Sequence, residues 1–361
     1  MTASAETRTT EINGHSTRSE GVSLFKSLSG PTDPHSSATP ADGAAGSRRG
    51  TPKRDLYSPL RYPGGKRQMV SFFADLLKIN GLVPLEVFIE PFAGGAAVSL
   101  HLLASGLVDK VVLADLDPLV YAFWHQACFA TEELIEDLIN APVTLEEWHR
   151  LRANPGTTLR EKAYACLFLN RTSYSGILQG RAGPIGGQKQ QSNYRIDCRF
   201  PKKELANRIR QIGAFAAEGR ILAVLPCDVE ETVQWVKSQL NNMRYVFYFD
   251  PPFWAKGARL YRHAFSREDH ERLARLLKRL DAPWVLSYDY HDEIIELYQS
   301  SQQGGRGRTV SPSRPVVDGT VGHKLHTTQL QYCNRHQGRR VKELIITNLP
   351  VVPEEHVEHL S

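Results

Sequence analysis

Short apolar runs that alternate with helical patterns constrain the fold of this chain more than any other feature. The runs that we interpret as buried strands occupy residues 85–89, 111–114, 221–225, 245–249 and 284–287. Segments between them, such as 69–77 and 268–280, repeat their apolar residues with helical spacing. Strands and helices that alternate in short units are typical of a parallel, doubly wound sheet. We therefore predict an α/β fold whose sheet is completed by residues 342–348.

The length and composition allow one large domain with a smaller insertion, because 361 residues of which 41% are hydrophobic can bury a substantial core. Residues 1–55 differ from the rest, since Ser, Thr, Gly and Pro make up 27 of the 55 and no period emerges. We predict a disordered N-terminal tail there. The predicted main domain covers 56–130 and 215–350, a mainly helical insertion covers 131–214, and a short tail covers 351–361.

Neither a membrane segment nor a metal site is indicated by the sequence. No stretch approaches the roughly 20 consecutive apolar residues that a membrane helix requires. The N-terminus lacks the apolar core of a signal sequence, so we expect a soluble cytoplasmic protein. The five cysteines have neither paired nor zinc-type spacing, which predicts reduced structural thiols and no bound metal. They are Cys128, Cys166, Cys198, Cys227 and Cys333.

Positive charge is concentrated in one segment of the chain. Residues 170–212 contain nine Lys or Arg and only two acids, Asp197 and Glu204. This local excess is larger than the net charge of +5 of the whole chain, so the remainder is slightly acidic. A charge excess confined to one segment favours a polyanionic partner over a merely solvated surface.

The loop at residues 90–98 predicts a ligand pocket. It consists of small residues between a strand and a helix, and the next strand ends about twenty residues later in Asp115, where a carboxylate could bind a ribose. The Gly-x-Gly-x-x-Gly pattern is absent, and Glu90 would repel a phosphate. S-adenosylmethionine fits these features, because it is cationic and not phosphorylated. Asp117 could instead cap a helix, and Asp228 could either bind the adenine amino group or cap a helix.

The motif Asp250-Pro-Pro-Phe253 follows directly on the apolar run 245–249. The carboxylate can accept a hydrogen bond from a planar amino group, and the carbonyl of the first proline offers a second acceptor on a stiffened backbone. The phenyl ring can stack on a planar heterocycle. The motif therefore predicts a pocket for a heterocyclic amine at the end of a buried strand.

Taken together, the motifs resemble those of the Dam-like, α-group N6-adenine DNA methyltransferases, over roughly residues 57–350. Each motif alone is weak, but the order of all of them is specific. The matching motifs are Tyr62-Pro-Gly-Gly-Lys66, Glu90-Pro-Phe-Ala-Gly-Gly95, Asp115, Asn170-Arg-Thr-Ser-Tyr-Ser-Gly176, Asp250-Pro-Pro-Phe253 and Lys342-Glu-Leu-Ile345. Departures are Tyr62 for the Trp of some relatives, Ala96 for a loop glycine and Phe253 for the commoner Tyr.

The resemblance implies a Rossmann-like methyltransferase sheet with a small, mainly helical DNA-recognition domain. It implies transfer of a methyl group from S-adenosylmethionine to N6 of an adenine flipped out of double-stranded DNA. The expected catalytic residues are Asp250, Pro251, Pro252 and Phe253. The expected cofactor-binding residues are Tyr62, Gly65, Lys66, Glu90, Phe92, Gly94, Asp115, Asp228 and Asp250. The expected nucleic-acid-binding residues are Arg171, Tyr174, Arg181, Lys189 and Arg195.

Three alternatives remain open at the level of sequence. The same amine pocket could serve an RNA adenine methyltransferase, or a protein-amide methyltransferase, although the latter more often carries Asn in place of Asp250. A DNA-binding module with a decayed site would show damaged motifs, whereas Asp115 and Asp250 are intact. For a DNA enzyme, we expect association with the nucleoid, and a cognate restriction endonuclease is a second candidate partner.

Overall fold

A computed structural model describes residues 56–62, 66–178, 180–299, 316–317, 324–334 and 339–353. The tail predicted at 1–55 and the cofactor residue Gly65 lie outside the described residues, as does most of the tail predicted at 351–361.

Within the described residues, eight strands form one sheet with the order β3-β2-β1-β4-β5-β8-β7-β6. The pairs from β3 to β5 are parallel, and β8, β7 and β6 add to β5 as antiparallel strands. This arrangement confirms the prediction of a doubly wound α/β sheet. The strands are β1 Leu85–Glu90, β2 Val108–Ala114, β3 Ile221–Leu225, β4 Tyr245–Phe249, β5 Trp284–Asp289, β6 Val316–Val317, β7 Lys324–Asn334 and β8 Arg339–Thr347.

The central strands are apolar on both sides because helices cover both faces of the sheet. Successive residues of β4 point to opposite faces. Val246 and Tyr248 join one hydrophobic cluster, whereas Phe247 and Phe249 join a second cluster on the other face. The run that the sequence shows as uniformly apolar is therefore buried along its whole length after its first residue.

Eleven α-helices occur in the described part of the chain, and most of the predicted helical segments coincide with one. Side-chain caps define several helix starts: Thr158 and Ser266 each form a capping box with the acid three residues later. The helices are α1 Val70–Ile79, α2 Ala97–Ala104, α3 Pro118–Phe129, α4 Thr131–Asn140, α5 Leu145–Ala153, α6 Leu159–Thr172, α7 Lys202–Ala217, α8 Val229–Gln239, α9 Gly257–Leu260, α10 Arg267–Lys278 and α11 Asp292–Gln299.

The helices α4 to α7 lie in the segment 131–214 that we interpreted as an insertion, except for the end of α7. Both α6 and α7 pack against α3 of the main domain. Phe123 of α3, Phe168 of α6 and Ile209 of α7 belong to one hydrophobic cluster. The helical segment is thus anchored through a shared core, and its treatment as an inserted recognition domain stays a prediction.

The cysteine side chains differ in exposure. Cys128, Cys166 and Cys227 are buried free thiols, as expected for structural cysteines, but Cys198 is exposed. The prediction of a structural role is therefore wrong for Cys198, which sits in a polar loop before α7. Among the described helices, none has both the length and the apolar character needed to span a membrane.

Candidate active site

A cleft of about 860 Å³, including the solvent at its mouth, opens at the carboxyl ends of the parallel strands. Its lining combines residues from after β1, β2 and β4, as expected for a ligand site in a sheet of this kind. A smaller cavity shares part of this lining and adds Lys66 and Glu90. The predicted residues on the cleft wall are Tyr62, Phe92, Gly94, Asp115, Asp228, Asp250 and Pro252.

The glycine loop and the acid after β2 are joined directly. The Gly94 amide donates a hydrogen bond of 2.9 Å to Asp115 Oδ2, and the Trp124 indole donates one of 2.9 Å to the Gly94 carbonyl. Gly94 has a φ of +45°, and a Cβ atom there would lie 2.8 Å from Tyr62 Cε1. A side chain is therefore excluded at this position by both backbone conformation and space.

Ala96 adopts a backbone conformation that glycine favours. Its φ of 46° and ψ of 34° are left-handed, and it precedes the first turn of α2. The left-handed turn forms with alanine at this position, and the side chain is buried. The loop carries some strain, since a Cβ atom disfavours this conformation.

The three acids at the ends of β2 and β3 have separate roles in the local structure. Asp117 caps α3 by accepting a bond from the Leu119 amide, which matches the capping interpretation. Asp228 caps α8 by accepting from the Glu231 amide and also lines the cleft, so its position is compatible with both interpretations. Burial, aided by the charge of Asp117, raises the pKa of Asp115 to about 7.

Glu90 is a buried carboxylic acid at the end of β1, where it accepts a hydrogen bond from the Ser99 hydroxyl of α2. Burial raises its pKa to about 8, and the negative charges of Asp250 and Asp115 add to this effect against the Ser99 bond. A carboxyl group in this condition gains most from a neighbouring cation, because the cation stabilises its charged form.

Lys66 connects two acids beneath the cleft. It is only 3% exposed, and its Nζ atom lies 2.7 Å from Asp250 Oδ1 and 2.9 Å from Glu343 Oε1. Burial alone would lower the pKa of Lys66, but the two carboxylates outweigh burial and raise it well above its usual value. Burial raises the pKa of Glu343 to about 7, with Lys66 opposing the shift. The ammonium is therefore held in its charged form.

The two carboxylate oxygens of Asp250 have different surroundings. The Ser287 hydroxyl donates to Asp250 Oδ1 over 2.9 Å, and Tyr248 hydrogen-bonds that hydroxyl in turn. Since Lys66 also contacts Oδ1, both internal partners use one oxygen. Oδ2 accepts no hydrogen bond from the residues that the structure describes, and the side chain is 22% exposed and lines the cleft. Burial raises the pKa of Asp250, and Lys66 opposes the rise.

Aromatic rings surround the Asp250-Pro-Pro-Phe253 motif. Phe253 meets Tyr261 edge-on with ring centroids 5.8 Å apart, and Tyr261 lies 6.0 Å from Tyr62. The Lys66 ammonium lies 5.3 Å from the centroid of the Phe253 ring. The loop that follows is held by a 3.0 Å bond from the Trp254 amide to Asp289. The motif therefore provides a carboxylate beside a partly exposed aromatic face.

The residues predicted to bind nucleic acid are divided by their exposure. Tyr174 is 68% exposed, so its ring is not packed into the helical segment. Arg181, Lys189 and Arg195 are exposed on the loops between α6 and α7. Arg171 is buried, and its Nε atom donates to the Arg199 carbonyl over 2.6 Å. This placement argues against a contact between Arg171 and a DNA groove, because its guanidinium is bound to a backbone carbonyl inside the protein.

Sequence reasoning missed several residues of the cleft. Glu343 lies in the terminal motif Lys342-Glu-Leu-Ile345, but only its distance from Lys66 reveals a role. Tyr261 and Leu116 also line the cleft, and Leu116 is 51% exposed although it is apolar. The sequence offered one signal for Leu116, namely that it follows Asp115 immediately. No group of three or more His, Cys, Asp or Glu within the described ranges could hold a metal ion.

Comparisons with known proteins show to which family the chain is similar. The family model described as D12 class N6 adenine-specific DNA methyltransferase matches residues 62–309. The chain is 24% identical over 275 residues to the type II methyltransferase M.MjaIII of Methanocaldococcus jannaschii, an alignment that covers 66% of this chain and 87% of that protein. It is 21% identical over 280 residues to the type II methyltransferase M.CviBI of Paramecium bursaria Chlorella virus NC1A, covering 75% and 96% respectively.

Proposed function

This chain belongs to the D12 class of N6 adenine-specific DNA methyltransferases, and we propose that it uses Asp250 to hold the adenine amine and S-adenosylmethionine as the methyl donor. Site-specific methylation of adenine in DNA is the activity of this family and sets aside the RNA, protein-amide and decayed-site alternatives. The proposal therefore concerns the donor, the residues that act and the partners of the enzyme.

The observation that carries the proposal is that the internal contacts of the Asp250 carboxylate with the described residues use only one of its two oxygens. Two internal groups, Lys66 and Ser287, engage Oδ1, while the same side chain lines the cleft. An acceptor fixed in this way needs no reorganisation when a substrate amine arrives, and preorganised polar groups of this kind are worth several kcal/mol in a transition state.

The acceptors and apolar side chains that line the cleft support a cationic nucleoside as its ligand. Asp115 offers a carboxylate to ribose hydroxyls, Glu90 offers one to an ammonium group, and Phe92 and Leu116 supply apolar walls. Asp228, which also lines the cleft, is the acceptor that we propose for the adenine amino group. S-adenosylmethionine, when bound, supplies an electrophilic methyl group on a sulfonium.

The residues of the catalytic motif then act on the substrate. The Asp250 carboxylate and the Pro251 carbonyl accept the two hydrogens of the amine, which draws the nitrogen toward tetrahedral geometry. Lys66 favours the ionised form of Asp250, because its charge opposes the rise in pKa that burial causes. Holding both reactants in contact removes a large part of the entropic barrier, on the order of 7 kcal/mol or more in a well-aligned site.

The target base has to leave the duplex to reach this pocket, at a cost of a few kcal/mol. The Phe253 face offsets part of this cost by stacking, which is worth about 1–3 kcal/mol per base. The exposed residues Tyr174, Arg181, Lys189 and Arg195 are the contacts we propose for the DNA around the flipped base. Binding to DNA also leads us to propose nucleoid association.

The decisive experiment compares Asp250→Asn with the matched surface variant Asp109→Asn, since Asp109 is an exposed acid of β2. We expect Asp250→Asn to lose methyl transfer by at least a thousandfold while it binds S-adenosylmethionine within tenfold of wild type. Duplex DNA, single-stranded RNA and protein are offered in parallel with a radiolabelled donor. Labelling of DNA at wild-type rates by Asp250→Asn contradicts the assigned role.

A second proposal concerns restriction. The relatives M.MjaIII and M.CviBI carry the name type II methyltransferase, which supports a role of this chain in protecting DNA from a cognate endonuclease. Mapping of methylated adenines in DNA from cells that express the chain identifies the recognised site. An endonuclease that cuts the same site should then spare this DNA and cut DNA from cells that express Asp250→Asn.

A further inference from the structure

A second depression, separate from the methyl-transfer cleft, is lined mainly by arginines. It measures about 730 Å³ including its open mouth, and Arg61, Arg171, Arg199 and Arg208 contribute to its lining. Glu204 is the single acid of the lining, and it forms a salt bridge with Arg208. The lining therefore has a net positive charge, although four like charges at one site repel each other.

The four guanidinium groups affect one another. Burial, followed by the charge of Arg199, lowers the pKa of Arg61. Burial lowers the pKa of Arg171 to about 10, and the charges of Arg61 and Arg208 add to that effect. An anion in the depression relieves both repulsion and desolvation, since arginine forks match the oxygens of phosphate groups.

Two of the arginines already have protein partners. Arg171 donates to the Arg199 carbonyl over 2.6 Å, and Arg208 donates to the Ser58 carbonyl over 3.0 Å. Arg61 differs, because its Nη1 atom is buried and has no hydrogen-bond partner among the described residues. A buried cationic donor without an acceptor is costly, so an anion close to the Arg61 guanidinium would be stabilising.

The positive end of a helix faces the same depression. Helix α7 has sixteen residues and begins after Pro201, which lines the depression and makes no side-chain cap bond. The first amides of a helix favour an anion. The helix end therefore adds to the attraction that the arginines exert.

The depression is rigidly placed next to the methyl-transfer cleft. Arg61 precedes Tyr62, which lines that cleft, so the two lining residues are one peptide unit apart. The Asn170 amide group fixes this backbone, because it accepts from the Arg61 amide over 2.7 Å and donates to the Arg61 carbonyl over 2.9 Å. A ligand here lies close to any substrate whose base occupies the cleft.

We infer that this depression, which we call the arginine pocket, binds a backbone phosphate of the DNA strand near the flipped adenine. The inference rests on the proposed function, since DNA is the polyanion whose adenine enters the adjacent cleft. The pocket orients the strand by charge and contributes no sequence readout. Arg61, Arg199 and Arg208 were not among the predicted nucleic-acid contacts.

The first test measures salt dependence. Each phosphate contact that is removed should lower the slope of log affinity against log salt concentration by about 1. We expect Arg61→Gln and Arg199→Gln each to lower the slope for duplex DNA in this way, and to raise KM for DNA more than they lower kcat. The matched control is Arg279→Gln at the exposed end of α10, which should keep the wild-type slope. Wild-type slopes in both pocket variants overturn the inference.

The second test uses Cys198, an exposed thiol of the pocket lining, as a reporter. Alkylation of its peptide by N-ethylmaleimide is followed by mass spectrometry in the full enzyme. Duplex DNA should slow this alkylation at least tenfold in wild type and much less in Arg61→Gln. Protection by inorganic phosphate at matched ionic strength, without protection by DNA, assigns the pocket to a free anion and overturns the inference.

The same samples separate this inference from the proposed function. If wild type methylates duplex DNA while DNA protects nothing at Cys198 and the slopes are unchanged, the arginine pocket is not a phosphate site and the proposed function stands. If wild type methylates no DNA, the proposed function itself fails.

Discussion

The Lys66 Nζ atom lies 2.7 Å from Asp250 Oδ1 in a setting where the lysine is almost fully buried. A buried charge of this kind persists only when it is paired. Glu343 supplies the second partner, so the ammonium is shared by two carboxylates. The pairing joins the Tyr62-Pro-Gly-Gly-Lys66 motif to the Asp250-Pro-Pro-Phe253 motif, and the charge of Lys66 opposes the rise in the pKa of Asp250 that burial causes.

The loss of the Lys66 charge should shift the pH dependence of catalysis. Lys66 lowers the pKa of Asp250, which burial raises. In Lys66→Met the pKa of Asp250 rises further, so the carboxylate ionises only at higher pH. We expect kcat to fall at least a hundredfold near pH 6.5 and to recover in part near pH 9, as measured by single-turnover methyl transfer. An acid limb at the wild-type position contradicts this account of Lys66.

Affinity for the donor should depend on the ionisation of Glu90. Because the pKa of Glu90 is raised to about 8, the carboxylate that can pair with an ammonium forms as the pH rises toward 8. We expect the Kd of wild type for S-adenosylmethionine to decrease from pH 6 to pH 8.5, by no more than tenfold per pH unit for one proton. Calorimetry on Glu90→Gln should give weaker and flatter binding, with a remaining slope from Asp115. Identical pH profiles exclude this role.

The same group should affect the stability of the free enzyme. A carboxyl group whose folded pKa lies above its ordinary value favours the folded state at low pH, and this contribution is lost as the pH rises from about 4.5 through about 8. Glu90→Gln should therefore show a smaller decrease in the free energy of unfolding over this interval, measured by urea denaturation. Ser99→Ala serves as the companion variant that removes the hydroxyl donor and leaves the charge.

Asn170 should contribute strongly to stability and to the placement of the cofactor cleft. Its fully buried side chain makes three hydrogen bonds to the backbone of Arg61 and Gly176. We expect Asn170→Ala to lose about 2–3 kcal/mol, because backbone groups are left unpaired. Urea denaturation measures the loss, and donor binding should weaken with it. Asn242→Ala, at an exposed position, should stay within about 0.5 kcal/mol of wild type.

Gly176, whose carbonyl accepts one of the hydrogen bonds of Asn170, should not tolerate even a methyl side chain. Its φ is +74°, and a Cβ atom there would overlap the Arg61 carbonyl. Gly176→Ala should therefore displace the segment that carries Arg61 and Tyr62. We expect weaker donor binding, with the helices α3 and α6 left intact. Amide hydrogen exchange should become faster in residues 56–62 but not in those helices. Unchanged exchange in residues 56–62 contradicts the close contact between Gly176 and Arg61.

Phe253 should act through its ring face. Replacement by Leu removes stacking worth about 1–3 kcal/mol, so KM for DNA should rise about fivefold or more. Phe253→Tyr keeps the face and should remain within threefold of wild type. A 2-aminopurine at the target position reports flipping, and its fluorescence should increase less with Phe253→Leu. Equal behaviour of the Leu and Tyr variants rules out stacking as the function of this ring.

Local pattern determined the parts of the fold whose signal is short-range. The run 245–249 was predicted as a strand and is β4 with the same limits, because an uninterrupted apolar run suits a strand buried on both faces. Helices with a strong apolar period, such as α10, could also be predicted from the sequence. The strand β7 and the helix α11 were missed, since β7 is largely polar in sequence and α11 has only eight residues. Pairing with β8, rather than local preference, defines β7.

The sequence by itself determined that Asp115 and Asp250 each follow a buried strand, which predicts that both face the carboxyl edge of the sheet. In the fold β1 lies between their strands, β2 and β4, and both acids line one cleft. Tertiary structure alone decided which partner each charge received. It placed Glu343 on Lys66, buried Arg171 and gathered Arg61, Arg199 and Arg208 around one pocket. The physical reason is that strand and helix periods are local properties, whereas a buried ion pair depends on packing between segments that are distant in the chain.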